Sequence, residues 1–311
     1  MNLKQFKPLY WAYNFINRKK LRHNIEPFKK FKIHKPLIAS ISSKDFPDKS
    51  SKAWMDTANS KDVAPTKVKF KSFSESIQSK ISAWSDNGYM ILENFFEPAT
   101  CDAINDEIDQ LVKNNTLSFN SSHKLMFAHK KSALISSVAQ EKRLLDILDF
   151  LLDKETVLFQ TINFIKGSEQ RAHSDSIHMT TYPLGYLVAA WLALEDTTNE
   201  NGALFYYPGS HKLPYLLNPD FNEGETILTL GKKTYQDYED MIEQQIKNNA
   251  FPKVEFHAKK GDLFIWHANL LHGGSPIMNK KSTRKSMVMH YFAKDVIKYH
   301  EITERPSLLE S

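Results

Sequence analysis

The feature that most limits what this chain can fold into is a series of short apolar segments that begins after Asp153 and is broken repeatedly by turn residues. Strands are expected at Thr156–Ile165, Ser174–Thr180, Leu187–Glu195, Leu204–Pro208, Lys253–Ala258, Asp262–His267 and Arg284–Ala293. Between them stand Lys166-Gly167, Asn199–Gly202, Pro208-Gly209 and Lys260-Gly261, residues that favour tight turns over continued extension. Many short strands at such spacing close into a sandwich or a barrel. The stretch 212–250 interrupts the series. It contains an expected helix, Tyr235–Asn248, and reads as an insertion over one mouth of the barrel.

Upstream, helical periodicity is expected near Ser74–Trp84, through Asp102–Val112 and through Leu134–Leu152, with a strand at Tyr89–Phe95. These helices would cover a sheet, so the fold expected for residues 66–311 is mainly β with flanking helices. Residues 1–65 read as a separate arm. Residues 1–35 hold ten Lys and Arg against Glu26 alone, so of the net +5 the arm carries +9 and the rest of the chain −4. Within Leu3–Leu21, Phe6, Leu9, Tyr10, Tyr13 and Ile16 recur at helical spacing, Trp11 and Phe15 widen the face, and Pro8 suits a first turn. A basic amphipathic helix of this kind either lies on an anionic membrane surface or packs on the main domain with its basic face in water. Residues 40–65, rich in Ser, Lys, Asp and Pro, read as a linker or an extended wrap.

No apolar run approaches the roughly 20 residues a spanning helix needs, and no signal core opens the chain. A cytoplasmic protein is expected, with peripheral attachment to the inner face of a membrane as the further option. Cys101 is the only cysteine, so an internal disulfide is excluded. The basic residues lie outside the barrel and base-reading motifs are absent, which argues against nucleic acid. The oligomeric state is not legible.

Chemistry is concentrated in two short runs. In His173-Ser174-Asp175, an extended backbone projects His173 and Asp175 to the same side. One imidazole and one carboxylate supply two thirds of the facial triad of non-haem iron(II) oxygenases. Alone, this pair is a common accident of surface strands. A second run, Asp262 to Pro276, carries an apolar strand into His272-Gly273-Gly274, where backbone can approach a metal closely, and Arg284 follows twelve residues later. A buried arginine fork suits bidentate recognition of a carboxylate, and Ser286 shares its face. Three protein ligands, His173, Asp175 and His272, leave positions for a bidentate 2-oxo acid and dioxygen. His267 is the rival third ligand, less favoured because no glycine follows it. Thr161 and Asn163 share a face of the preceding strand, and Asn163 is the expected hydrogen-bond partner of the 2-oxo acid. His178, Tyr182 and Trp266 are candidate substrate contacts, and His211 is expected to stabilise its turn.

Taken together, these residues resemble the phytanoyl-CoA dioxygenase family, which includes ectoine hydroxylase-like enzymes, over roughly residues 85–295. The resemblance is carried by His173-Ser174-Asp175, Trp191, Asn201-Gly202-Ala203-Leu204, Pro208-Gly209-Ser210-His211-Lys212, Gly261-Asp262, His267 through Gly273, and Arg284. It implies a double-stranded β-helix core, a jelly roll of cupin type, with iron(II) on His173, Asp175 and His272, and 2-oxoglutarate as co-substrate on Arg284 with Trp191 lining its pocket. The implied reaction is hydroxylation of an aliphatic C–H of a small molecule, a lipid or a lipid-linked glycan, with release of succinate and CO2. Retention of Asp175 argues against a related halogenase. Gly274 stands where the family often has Ser, so Ser275 or Ser286 is the expected substitute. The alternative is a non-catalytic jelly roll that keeps a metal or a 2-oxo acid for sensing or stability.

Overall fold

Alternation along one strand shows how the molecule is layered. In Leu187–Ala193, Val188, Ala190 and Leu192 pack into one apolar cluster, while Ala189, Trp191 and Ala193 pack into another. A strand buried on both faces must lie between two layers. The first cluster joins the sheet to helices Glu75–Ser82, Pro98–Lys113, Ala133–Ala139 and Lys142–Leu152. The second fills the interior between this sheet and a smaller one.

The computed structural model describes residues 5–46, 48, 52–221 and 224–309. Leu3 and Lys4 of the expected N-terminal helix, and 47 and 49–51 of the expected linker, lie outside them. Twelve strands are present among the described residues: β1 Tyr89–Leu92, β2 Leu125–Met126, β3 Thr156–Phe164, β4 Thr180–Tyr182, β5 Leu187–Ala193, β6 Leu204–Tyr206, β7 Val254–Phe256, β8 Leu263–His267, β9 His272–Gly274, β10 Ser286–Ala293, β11 Ile297–His300 and β12 Arg305–Pro306. The large sheet runs β1-β8-β5-β10-β3-β2, and two three-stranded sheets run β7-β6-β9 and β12-β11-β4. All the pairings are antiparallel, as a jelly roll requires.

Two differences from the sequence reading have local causes. Ser174–Thr180 is not one strand: after Ser174 the chain turns through Asp175–Ile177, with the His178 and Met179 amides both donating to the Asp175 carbonyl. Ser174, Asp175 and Ser176 are residues whose short polar side chains compete with a strand ladder. The helix expected at Leu134–Leu152 is two helices, because Glu141 takes a non-helical backbone between them. The N-terminal helix is Lys7–Ile16, with Pro8 in its first turn.

Residues of the arm are built into the body. Phe28, Ile41 and Phe46 form one cluster with Tyr182, Ile297 and Tyr299. Tyr182 stacks on Phe46 at 4.1 Å between ring centroids, so it packs against the arm instead of meeting substrate as expected. The Lys7–Ile16 helix presents its polar residues inward: Lys7 is buried in an ion pair with Glu304 at 2.7 Å, and the Asn14 amide donates to the Ile38 carbonyl at 3.0 Å. Leu9, Tyr13, Phe15 and Ile16 are left 49%, 50%, 56% and 76% exposed. Among the described residues, no helix is long and apolar enough to cross a membrane.

The 212–250 segment carries the helix Tyr235–Asn249, started by a reciprocal Thr234/Asp237 cap. Its Tyr238 and Ile242 are buried against Ala172, Ile177, Phe205 and Leu271. Arg171 pairs with Glu239, Asp240 and Glu243 at 3.2, 2.6 and 2.7 Å, which seats the helix on the segment that carries His173 and Asp175.

Candidate metal centre

His173 and His272 are cross-strand partners. Each donates its backbone N–H to the other's carbonyl at 3.0 Å, and the rings stand 4.5 Å apart. Asp175 reaches the same point from the turn that follows Ser174. Its Oδ1 lies 3.9 Å from His173 Nε2 and 3.8 Å from His272 Nε2. Ligand atoms of these three buried residues all lie within 4.8 Å of one another, the one such cluster among the described residues.

The hydrogen bonds around the triad settle which atoms face its centre. His173 Nδ1 lies 3.0 Å from the Arg171 carbonyl, and His272 Nδ1 lies 3.0 Å from the Leu270 carbonyl. A carbonyl only accepts, so each Nδ1 carries a proton, and each Nε2 is the ring nitrogen left facing the centre. Asp175 Oδ2 accepts from the Trp266 indole at 2.9 Å and lies 3.5 Å from His290 Nε2, which leaves Oδ1 for a metal. The His290 Nδ1 is in turn 3.2 Å from the Gln160 amide nitrogen, so Nε2 holds the proton that faces Asp175. Outer-sphere bonds of this kind orient metal ligands and raise their basicity. Burial holds His173 neutral, pulling its pKa down to about 3. Asp175 has burial working to raise its pKa, and His272 and His290 more than offset this, holding the carboxyl well below its usual range. Two imidazoles and one carboxylate are the donor set that a divalent first-row ion takes.

His267 is excluded from this centre by its own bonds. Its Nδ1 accepts from the Asn269 amide at 3.0 Å, and its Nε2 donates to Asp56 Oδ1 at 2.6 Å. Asp56 also accepts from the Tyr215 hydroxyl at 2.7 Å. The residue therefore ties the 40–65 wrap to β8. Asp56→Ala would leave two buried donors unpaired, and the expected loss is about 3 kcal/mol of stability, read in a denaturant titration against wild type.

The triad opens into a cavity of about 400 Å³. At one end Arg284 is 3% exposed, its Nε has no hydrogen-bond partner, and among the described residues it forms no ion pair. Its guanidinium stands 5.7 Å from the rings of Trp191 and Phe164, and burial pulls its pKa down to about 10. An unpaired cation in an aromatic-walled cavity is a group built for an anion that enters from outside. The fit to a dicarboxylic 2-oxo acid is direct: a carboxylate for Arg284 and donor atoms for the metal, within one cavity.

The other expected site residues divide. Trp191, His178 and Trp266 line the cavity, but Trp266 spends its one donor on Asp175. Ser286 shares the cavity face of β10 with Val288 and His290; it is fully buried, and its Oγ has no partner. Asn163 is a correction. Gln160, Ile162 and Phe164 line the cavity, so the phase of β3 turns Thr161 and Asn163 to the opposite face, where Asn163 stands across from Met287 of the helix-side cluster. Ser275 Oγ bonds Glu255 and takes no place in the cavity.

Sequence reasoning missed four residues here. His290 was findable, since alternation from Arg284 through Ser286 and Val288 reaches it. Lys124, Gln170 and His300 carry no such signal. Lys124 donates to Gln170 Oε1 at 3.3 Å, and the Gln170 amide lies 3.3 Å from His173 Nε2.

The family model for phytanoyl-CoA dioxygenase (PhyH) matches residues 84–286. The chain belongs to the phytanoyl-CoA dioxygenase family. It is similar to the peroxisomal phytanoyl-CoA dioxygenase of Bos taurus, 25% identical over 238 residues, which is 67% of this chain and 66% of the bovine protein. The chain thus spans just under two thirds of that relative. Among solved structures it is similar to SnoK, the non-heme alpha ketoglutarate dependent carbocyclase of nogalamycin biosynthesis, at 16% identity and TM-score 0.57, covering 73% of this chain and 87% of that one. It is also similar to EctD from S. alaskensis with 2-oxoglutarate and 5-hydroxyectoine, at 20% identity and TM-score 0.51, covering 68% of this chain and 74% of that one. These likenesses confirm the jelly-roll core for this family member.

Proposed function

We propose that this family member is an iron(II)- and 2-oxoglutarate-dependent dioxygenase that hydroxylates an aliphatic C–H of a small molecule, a lipid or a lipid-linked glycan. The observation that carries the reading is Arg284, a buried unpaired cation opening on the same cavity as a three-donor metal cluster. Bound iron(II) with 2-oxoglutarate would supply oxidation of an unactivated C–H by dioxygen, with release of succinate and CO2. His173, Asp175 and His272 would hold the metal. Trp266 and His290 hold Asp175 Oδ2, which leaves Oδ1 turned toward the two histidine Nε2 atoms and available as a ligand. Arg284 would bind and orient the distal carboxylate of 2-oxoglutarate, with Trp191 and Phe164 excluding water around it. The protein's work is placement and protection, which suits a reaction whose difficult chemistry belongs to the cofactor.

The exposed face of the Lys7–Ile16 helix supports a place at a membrane surface. Leu9, Tyr13, Phe15 and Ile16 point away from the body, and Arg18, Lys19 and Arg22 follow them exposed. Phe15→Ser/Ile16→Ser spares the buried Lys7 and Asn14; binding to anionic vesicles is expected to fall at least tenfold. Equal binding would remove the membrane from the reading.

The reaction itself is tested by comparing metabolites of wild-type and deletion strains for a species one oxygen atom heavier that disappears. Its reappearance on incubating extract with the purified protein, iron(II) and 2-oxoglutarate, with stoichiometric succinate, is the expected result. Metal and 2-oxoglutarate binding without succinate across such extracts would favour the non-catalytic alternative.

A further inference from the structure

A run of aromatic rings leads away from the triad through the wall of its cavity. Trp266 starts it: the indole N–H donates to Asp175 Oδ2 at 2.9 Å, and the ring stands 4.8 Å from that of His272. Phe264, two residues earlier on the same face of β8, lies 5.5 Å from Trp266. Beyond Phe264 come Tyr206 of β6 at 4.9 Å and Tyr89 of β1 at 5.5 Å, and these two tyrosine rings are 4.5 Å apart. Tyr89 is also the cross-strand partner of Trp266 in the β1–β8 ladder. Trp266, Phe264 and Tyr206 are buried, whereas Tyr89 is half-buried and brings the run to the surface. Trp266 lines the cavity and the two tyrosines stand behind its wall, so the run leaves the space for substrate untouched.

Packing alone asks for apolar rings here, not for hydroxyls. The neighbours in this cluster include Ile162, Leu204, Phe256 and Val288. A phenol buried among such residues costs free energy unless its hydroxyl is bonded. Tyr206 meets the requirement on Tyr89, donating its hydroxyl hydrogen to the Tyr89 oxygen. A tyrosine that loses an electron also gives up its phenolic proton. A bonded pair whose outer member reaches solvent is therefore equipped to release both. Phenylalanine at the two positions would fill the same space and release neither.

We propose that Trp266, Tyr206 and Tyr89 form an electron relay that restores iron(II) when dioxygen is consumed with no substrate in the cavity. The proposal rests on the dioxygenase reading. In that event 2-oxoglutarate and dioxygen give succinate and CO2, and the second oxygen atom of the dioxygen finds no C–H bond to enter. Two electrons and two protons convert that atom to water. Each electron leaves Trp266 toward the triad and is replaced from Tyr206 and Tyr89 across the Phe264 ring. The Tyr89 proton passes to water outside, and cavity water supplies the protons taken up at the triad. A one-electron reductant in solution then restores the phenol, which regains its proton from water. The relay protects the cavity wall, where Met179, Trp191 and Trp266 are the oxidisable side chains nearest an unspent oxidant.

The test uses the full chain with iron(II), 2-oxoglutarate and oxygen, without substrate, in the presence of a sulfonated azine dye (ABTS). The dye colours on losing one electron and is too bulky to reach the triad. The wild type is expected to yield about two dye radicals per succinate. Tyr89→Phe should cut that yield at least fivefold and Tyr89→Phe/Tyr206→Phe should abolish it, while succinate still forms. Oxidised Trp266, read by peptide mass spectrometry, should rise severalfold in both variants. Tyr89→Phe removes one half-buried hydroxyl, so it carries the test if the double variant fails to fold. If 2-oxoglutarate is not consumed without substrate, hydrogen peroxide supplies the oxygen atom to the iron(II) protein, and dye and peptide are read in the same way. A dye left colourless by the wild type overturns the relay. So do equal dye yields and equal Trp266 oxidation in wild type and variants, which leave the rings as core packing. Ligand binding in the same samples separates the two claims: iron(II) and 2-oxoglutarate bound with either of these results sinks only the relay, whereas failure to bind them sinks the dioxygenase reading and the relay with it.

Discussion

Arg284→Met should make the protein more stable in the absence of ligand and at the same time weaken 2-oxoglutarate binding by about 30-fold or more. The two effects have one cause. The guanidinium is buried without a hydrogen-bond partner for its Nε, so the ligand-free fold carries an uncompensated charge. Replacing a buried ionic group by an apolar one of similar volume is often stabilising, by roughly 1–4 kcal/mol. Removing the partner of a buried carboxylate costs about 2–5 kcal/mol, which at 1.4 kcal/mol per decade is a factor of roughly 30 to several thousand in affinity. Thermal melts with and without 2-oxoglutarate measure both, and their order should invert: the variant melts higher without ligand, the wild type higher with it. Arg284→Lys keeps charge but loses the fork, so its affinity should fall between the two. A variant that melts lower without ligand would mean that Arg284 is structural.

Asp175→Ala should abolish specific iron(II) binding and all succinate formation. Its carboxylate is the one anionic donor of the cluster, and it lies within 4 Å of both histidine Nε2 atoms. Trp266→Phe is the informative partner. It keeps an aromatic side chain in place but removes the bond that pins Oδ2, and loss of such an outer-sphere partner typically costs about 10–100-fold in metal affinity. The expected order of iron(II) affinity is therefore wild type, then Trp266→Phe, then Asp175→Ala, with the last too weak to measure specifically. Asp175→Ala that still coupled succinate release to hydroxylation would refute the metal assignment.

How much of this was legible in the sequence depends on how local each cause is. His173 and Asp175 follow from a two-residue spacing, and that spacing survives although the expected strand Ser174–Thr180 turns at Asp175. His272 was favoured over His267 by the glycines that follow, and the structure adds the physical reason: Asp56, two hundred residues away, has claimed His267. That partner is invisible to any local pattern. Asn163 failed because β3 is polar on both faces, Gln160 on one and Thr161 and Asn163 on the other, so alternation gives the period but not the phase. Lys124 and Gln170 reach the cavity from irregular segments that carry no period at all. The arm looked like an ordinary amphipathic helix; its inward face is instead Lys7 and Asn14, whose partners Glu304 and Ile38 lie far along the chain or beyond a turn. Tyr182 was lost to the same arm, through Phe46.

The central claim is that one cavity holds a metal on His173, Asp175 and His272 together with a 2-oxo acid on Arg284. Oxygen-free calorimetric titration of 2-oxoglutarate into the protein, with and without one equivalent of iron(II), tests it most directly. The expected result is one 2-oxoglutarate per chain, with strong binding only when iron(II) is present, and its loss in both Asp175→Ala and Arg284→Met. Binding that is independent of the metal, or that survives both substitutions, would contradict it.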